Sequence, residues 1–92
     1  MAVYWVNYDL NASGQDYEKV IEYLKSHEAW ARPVKSSFLV KTTLTPAELC
    51  TGVRQHMDAN DAILVMQVDG ANWAALGVPK EVTGWLRAHV AS

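Results

Sequence analysis

The stretch that decides the fold is AVYWVNYDL, residues 2–10. It is β-branched and aromatic, with no glycine or proline to break it, and so reads as a strand. Side chains alternate across a strand. Val3, Trp5, Asn7 and Asp9 therefore share one face, and Tyr4, Val6, Tyr8 and Leu10 share the other. The second set suits a face covered by helices. The first places a tryptophan on an open face, which calls for a cover. Either a C-terminal helix or a second copy of the chain supplies it.

The strand ends on Asp9, where residues 11–14 are turn-like. Ser13 can cap a helix start there, with Asp16 and Glu18 in the first turn. Tyr17, Val20, Ile21 and Leu24 follow at the i, i+3, i+4, i+7 spacing of an amphipathic helix. Residues 28–33, EAWARP, form a weak extended segment, and Pro33 confines it to an edge. Residues 34–43, VKSSFLVKTT, are a clearer strand. The next helix start is sharply written: Thr45 as N-cap, Pro46 at the first helical position and Glu48 to complete a capping box. That helix runs to about Met57 and buries Leu49, Val53 and Met57. Residues 58–61 turn, and the apolar run AILVMQV, residues 62–68, reads as a well-covered strand. From Pro79 a third helical pattern presents Val82, Trp85, Leu86 and Val90 on one face.

The order is β, α, a weak and a strong β, α, β, then a helix. This is the ferredoxin-like βαββαβ plan, an α+β antiparallel sheet in the order 4-1-3-2 with two helices on one face. It occupies one domain, residues 1–92, with its core over about residues 2–70 and a C-terminal helix over 79–91. In this plan strand 1 ends where strands 3 and 4 begin. Asp9 is then expected near Ser36, Ser37, Asn60 and Asp61, with Asp69 at the opposite end. Val6, Ile21, Val53 and Val65 are expected in the core.

Composition narrows the function. The net charge is −2, unlike a strong general nucleic-acid binder. The single cysteine, Cys50, permits no internal disulfide. No apolar run nears the roughly 20 residues of a membrane helix, and no basic-then-apolar leader opens the chain. A cytoplasmic protein with no membrane partner is the expectation. His27, His56 and His89 have no zinc-ligand spacing. His27, near a helix C-terminus, is expected to make a favourable dipole contact. Trp30, Trp73 and Trp85 are residue types that stack on bases, or simply pack.

Tyr8-Asp9 at a strand end, Val-x-x-Ser-Phe over residues 34–38, Thr45-Pro46-Ala47-Glu48 opening a helix, and Asn60-Asp61 before an apolar strand recur together in one family. In this respect the chain resembles the small CRISPR-associated adaptation subunit, the second Cas protein. It is closer to the SinR-like proteins and more distantly similar to VapD-type ribonuclease toxins. The likeness spans about residues 3–70. It implies a ferredoxin-like homodimer in which Asp9 is the catalytic and metal-binding carboxylate, holding Mg²⁺ near the dimer axis. It implies nucleic-acid contacts from Asn11, Arg32, Lys35, Ser37 and Lys41, and a dimer interface at Trp5 and Asn7. The chain departs from the pattern in having few basic residues at the expected places and a helix where the last strand usually stands.

Read from the residues alone, Asp9 has two roles open to it: an Asx-type bond that closes a turn, or a carboxylate that binds magnesium with waters. Two functions correspond. One is a nucleic-acid-binding protein related to metal-dependent endonucleases acting on DNA or RNA. The other is a non-catalytic dimeric module that binds a protein partner and has lost the chemistry.

Overall fold

The computed structural model describes residues 1–10 and 17–91. Its elements are β1 (Ala2–Asp9), α1 (Glu18–Lys25), β2 (Ala29–Ala31), β3 (Ser37–Thr42), α2 (Pro46–Arg54), β4 (Ala62–Gln67) and α3 (Lys80–His89). The four strands form one antiparallel sheet in the order β2-β3-β1-β4, which from the β4 edge is 4-1-3-2. This small α+β arrangement is consistent with a ferredoxin-like plan.

Strand alternation sorts the molecule into two layers. On one face Tyr4, Val6, Tyr8, Phe38 and Val40 pack against Val20 and Leu24 of α1 and Leu49 and Val53 of α2. Gly52 allows the close approach of the two helices: a Cβ there would overlap the Tyr23 hydroxyl. The tyrosine hydroxyls escape the apolar layer by donating to carbonyls at its rim, Tyr4 to Leu44 at 2.7 Å and Tyr8 to Lys35 at 3.0 Å. Buried hydroxyls need such partners.

On the other face Val82 and Leu86 of α3 cover Ala31 and Leu39, joined by Trp73, Trp85 and Val90. The C-terminal helix thus covers the β2–β3 half of this face. Trp5, Leu64 and Met66 on the β1–β4 half stay exposed at 39%, 52% and 50%. Of the two covers expected for Trp5, the C-terminal helix leaves it 39% exposed.

The local signals act as the chemistry requires. Thr45 Oγ1 accepts from the Glu48 amide at 3.2 Å, while Glu48 Oε1 accepts from the Thr45 amide at 2.8 Å. Helix α2 stops at Arg54 rather than near Met57, because Arg54 turns to the following loop. Its guanidinium donates to the carbonyls of Ala59 and Asp61 at 3.1 and 2.7 Å. Ile21 and Val65, expected in the core, are only partly buried at its margin; Val20 and Leu24 hold the centre of the α1 face. The proposed cap at Ser13 with Asp16 lies outside the described residues, as does Asn11.

His27 sits just beyond the C-terminal end of α1, with Nδ1 3.2 Å from Thr42 Oγ1 and its ring edge-on to Tyr23. Burial lowers its pKa, which acts against the cationic form that a dipole contact uses.

Candidate functional site

Asp9 stands at the end of β1, paired across the ladder with Ala62. The Tyr8 amide donates to the Ser36 carbonyl at 3.0 Å, which brings the β2–β3 turn alongside. Asn7, Asp9, Ser36 and Leu64 line a shallow surface pocket there. The antiparallel registers therefore gather Asp9, Ser36 and the start of β4, separated by more than fifty residues of sequence. Asp69 lies at the opposite end, where Oδ2 accepts from the Val3 amide at 3.0 Å and from Gln67 at 3.0 Å. Burial alone would raise its pKa; those hydrogen bonds, its own amide and the N-terminal charge outweigh that and lower it.

The neighbouring acid at Asp61 is committed to structure. Its carboxylate accepts from the Asp58 amide at 2.8 Å and from the Tyr17 hydroxyl at 3.2 Å. Asn60 and Asp61 thus sit in the turn that delivers β4 to the sheet.

The basic residues divide. Arg32 and Lys35 belong to the Asp9 end. Arg32 Nη2 donates to the Lys35 carbonyl at 2.8 Å, and its guanidinium lies over the Phe38 ring, 5.3 Å from the centroid. Burial raises the pKa of the adjacent Tyr8, with the Arg32 charge acting against the rise. Lys41 is elsewhere. It pairs with Val3, four ladder positions from Ser37, or roughly 13 Å along the strand. Its ammonium stands 3.4 Å from His89 Nδ1 of α3. The five implied nucleic-acid contacts therefore do not form one surface: Lys41 is remote from Arg32 and Lys35, Ser37 is fully buried, and Asn11 lies outside the described residues.

The magnesium reading meets the donor set. Among the described residues no group of three or more histidine, cysteine or acidic side chains converges. At the Asp9 pocket, Asp9 is the one carboxylate among the lining residues. Magnesium takes one or two carboxylates with substrate phosphates. The described part of a single chain supplies the lower of those numbers.

The tryptophans have local partners. Trp73 Nε1 donates to the Ala91 carbonyl at 2.9 Å, and the Trp85 ring lies tilted against His89 with centroids 4.5 Å apart. Trp30 receives the Lys25 ammonium over its ring at 4.7 Å. Cys50 is half-buried on α2.

Ser37 and Asn7, singled out in the sequence for separate roles, were not foreseen as a pair. Ser37 Oγ and Asn7 Nδ2 are both buried without a hydrogen-bond partner, and the two residues face each other across the β1–β3 ladder. The available signal was polar residues at inward positions of two strands, legible only once the register is fixed. No family model matches the chain, and neither does any curated protein or solved structure.

Proposed function

We propose that this chain is a ferredoxin-like, non-catalytic interaction module that works as a homodimer. The observation that carries the reading is the uncovered half of the sheet. Trp5, Leu64 and Met66 expose large apolar side chains side by side, since Trp5 pairs with Met66 and Asn7 with Leu64. Strand β4 is also the edge of the sheet, and its sequence AILVMQ contains no charge and no proline. Edge strands of proteins that stay single are normally guarded by such residues. An uncharged strip meets its own copy across a two-fold axis without like-charge repulsion. Strand addition at β4 would bring two such strips together. Kinship with the small CRISPR-associated and SinR-like proteins belongs to the same proposal.

Sedimentation at micromolar concentration tests it. Wild type is expected at twice the mass of one chain, and Leu64→Glu at one. A monomeric wild type overturns the reading.

A second reading is favoured by one feature: Arg32 and Lys35 gather at the Asp9 end, as a phosphate contact would require. Under it the chain binds DNA or RNA there, with affinity falling steeply with salt. Asp9→Asn keeps the turn-forming side-chain oxygen and removes the charge. Loss of Mg²⁺-dependent cleavage in that variant would support the nuclease-related function. A wild type that neither binds nor cuts either nucleic acid excludes it.

A further inference from the structure

On the α3 side of the sheet a groove of about 470 Å³ runs between β3, the segment of residues 71–78 and α3. Leu39, Val68, Val82 and Leu86 form its walls, and Trp5 and Trp73 border it. No charged side chain lines it. Its size falls within the roughly 300–1,000 Å³ of sites for small organic molecules.

One polar residue of the sheet stands among these apolar walls. Ser37 lines the groove, is fully buried, and has no hydrogen-bond partner for its hydroxyl. Asn7, directly across the ladder on the same face, buries an amide nitrogen that is also unpartnered. Buried polar groups are as a rule hydrogen-bonded, and each exception calls for an explanation. Ser37, at the floor of an apolar groove and able to donate, is a polar anchor within a hydrophobic site, while Asn7 beside it lines the neighbouring pocket at Asp9.

We infer that this groove binds a neutral, mainly apolar small molecule whose one oxygen, a hydroxyl or a carbonyl, accepts a hydrogen bond from Ser37. Neutrality follows from the walls: a carboxylate or ammonium entering there would lose its water and gain no counter-charge. The oxygen follows from the Ser37 hydroxyl, an unpartnered donor at the groove. The aliphatic walls take the rest of the molecule. Trp5 borders both this groove and the exposed strip, but Leu64 belongs to the strip and does not line the groove.

The test is titration of the full chain with n-octanol, using n-octanoate as the charged counterpart. Tryptophan fluorescence reports on Trp5 and Trp73, and amide NMR shifts locate the binding. Saturable n-octanol binding is expected, with shifts around Ser37, Leu39 and Val68 and at least about tenfold weaker binding of n-octanoate. Ser37→Ala is expected to weaken n-octanol about three- to tenfold while the circular dichroism stays unchanged. Should that variant fail to fold, Ser37→Cys, which replaces the hydroxyl with a weak donor, carries the same expectation. Val78→Trp, which fills the groove from its rim, should abolish saturable binding. The inference is overturned by absence of saturable binding, by equal affinity for n-octanoate, or by an unchanged affinity in a folded Ser37→Ala. Leu64→Glu separates it from self-association. Retained n-octanol binding in that variant, whatever its mass, supports a site built by one chain, and lost binding overturns it.

Discussion

The two faces of β1 come from the same eight residues and have different fates. Tyr4, Val6 and Tyr8 lie under two helices, and all three are buried. Val3, Trp5 and Asn7 alternate with them on the face where the one helix, α3, packs to the side, over Ala31 and Leu39. Val3 is buried, Trp5 is 39% exposed, and the Asn7 amide nitrogen is buried without a partner. The difference lies in the number of helices available. Antiparallel sheets commonly pack one face and leave the other to solvent. Here the second face is partly packed, which leaves an apolar strip, a groove and two unpartnered polar groups. Stability concentrates on the first face. The features able to bind something collect on the second.

The sharpest way to break this comparison is truncation on both sides. Leu24→Ala, in the fully buried layer, is expected to cost about 2–5 kcal/mol in chemical denaturation. Met66→Ala, on the exposed strip, should stay within about 0.5 kcal/mol when measured on the monomeric Leu64→Glu background. Equal costs would show that the two faces are packed alike. The next effect in size is Thr45→Ala. It removes the reciprocal cap of α2 and should cost about 1 kcal/mol, seen as a lower Tm. A larger loss than Leu24→Ala would shift the weight of the covered face from packing to capping.

The smallest effect is a pH dependence seated at the edge of the covered face. Burial depresses the His27 pKa, so the folded chain binds that proton less readily than the unfolded chain. The stabilisation is present above the unfolded value of about 6.5 and is lost as pH falls from there through the folded value. Wild-type Tm should therefore decline between about pH 7.5 and pH 5.5, more than in His27→Gln. Asp69 has a depressed pKa and acts in a separate, more acidic window. Its contribution is present above the ordinary carboxylate value and is lost as pH falls through its lowered one. Parallel curves for wild type and His27→Gln would remove His27 from the account.

Local chemistry was enough to read α2 from Thr45-Pro46-Ala47-Glu48, because a capping box is completed within four residues. Strand alternation in residues 2–10 was enough to say which side chains of β1 share a face, because the period of a strand is two whatever surrounds it. It also placed Asp9 beside Ser36 and the start of β4, and Asp69 at the far end, once the element order was known. Ile21 was harder. Its spacing fits the helix face as well as that of Val20 and Leu24, and only the position of α1 over the sheet makes it marginal. His27 was harder still, since a helix-end histidine reads as a cation until burial against Thr42 and Tyr23 is known.

The sequence by itself determined the elements, their order, the two-sided character of β1 and the capping of α2, all properties of neighbours within a few residues. Only the tertiary structure decided that α3 lies over Leu39 and stops short of Trp5, that Lys41 is separated from Arg32 and Lys35, and that Ser37, paired with Asn7 across the ladder, lines an apolar groove. These depend on where long-range packing sets one element against another. That is fixed by the total apolar area the chain can bury, and no local pattern of residues encodes it.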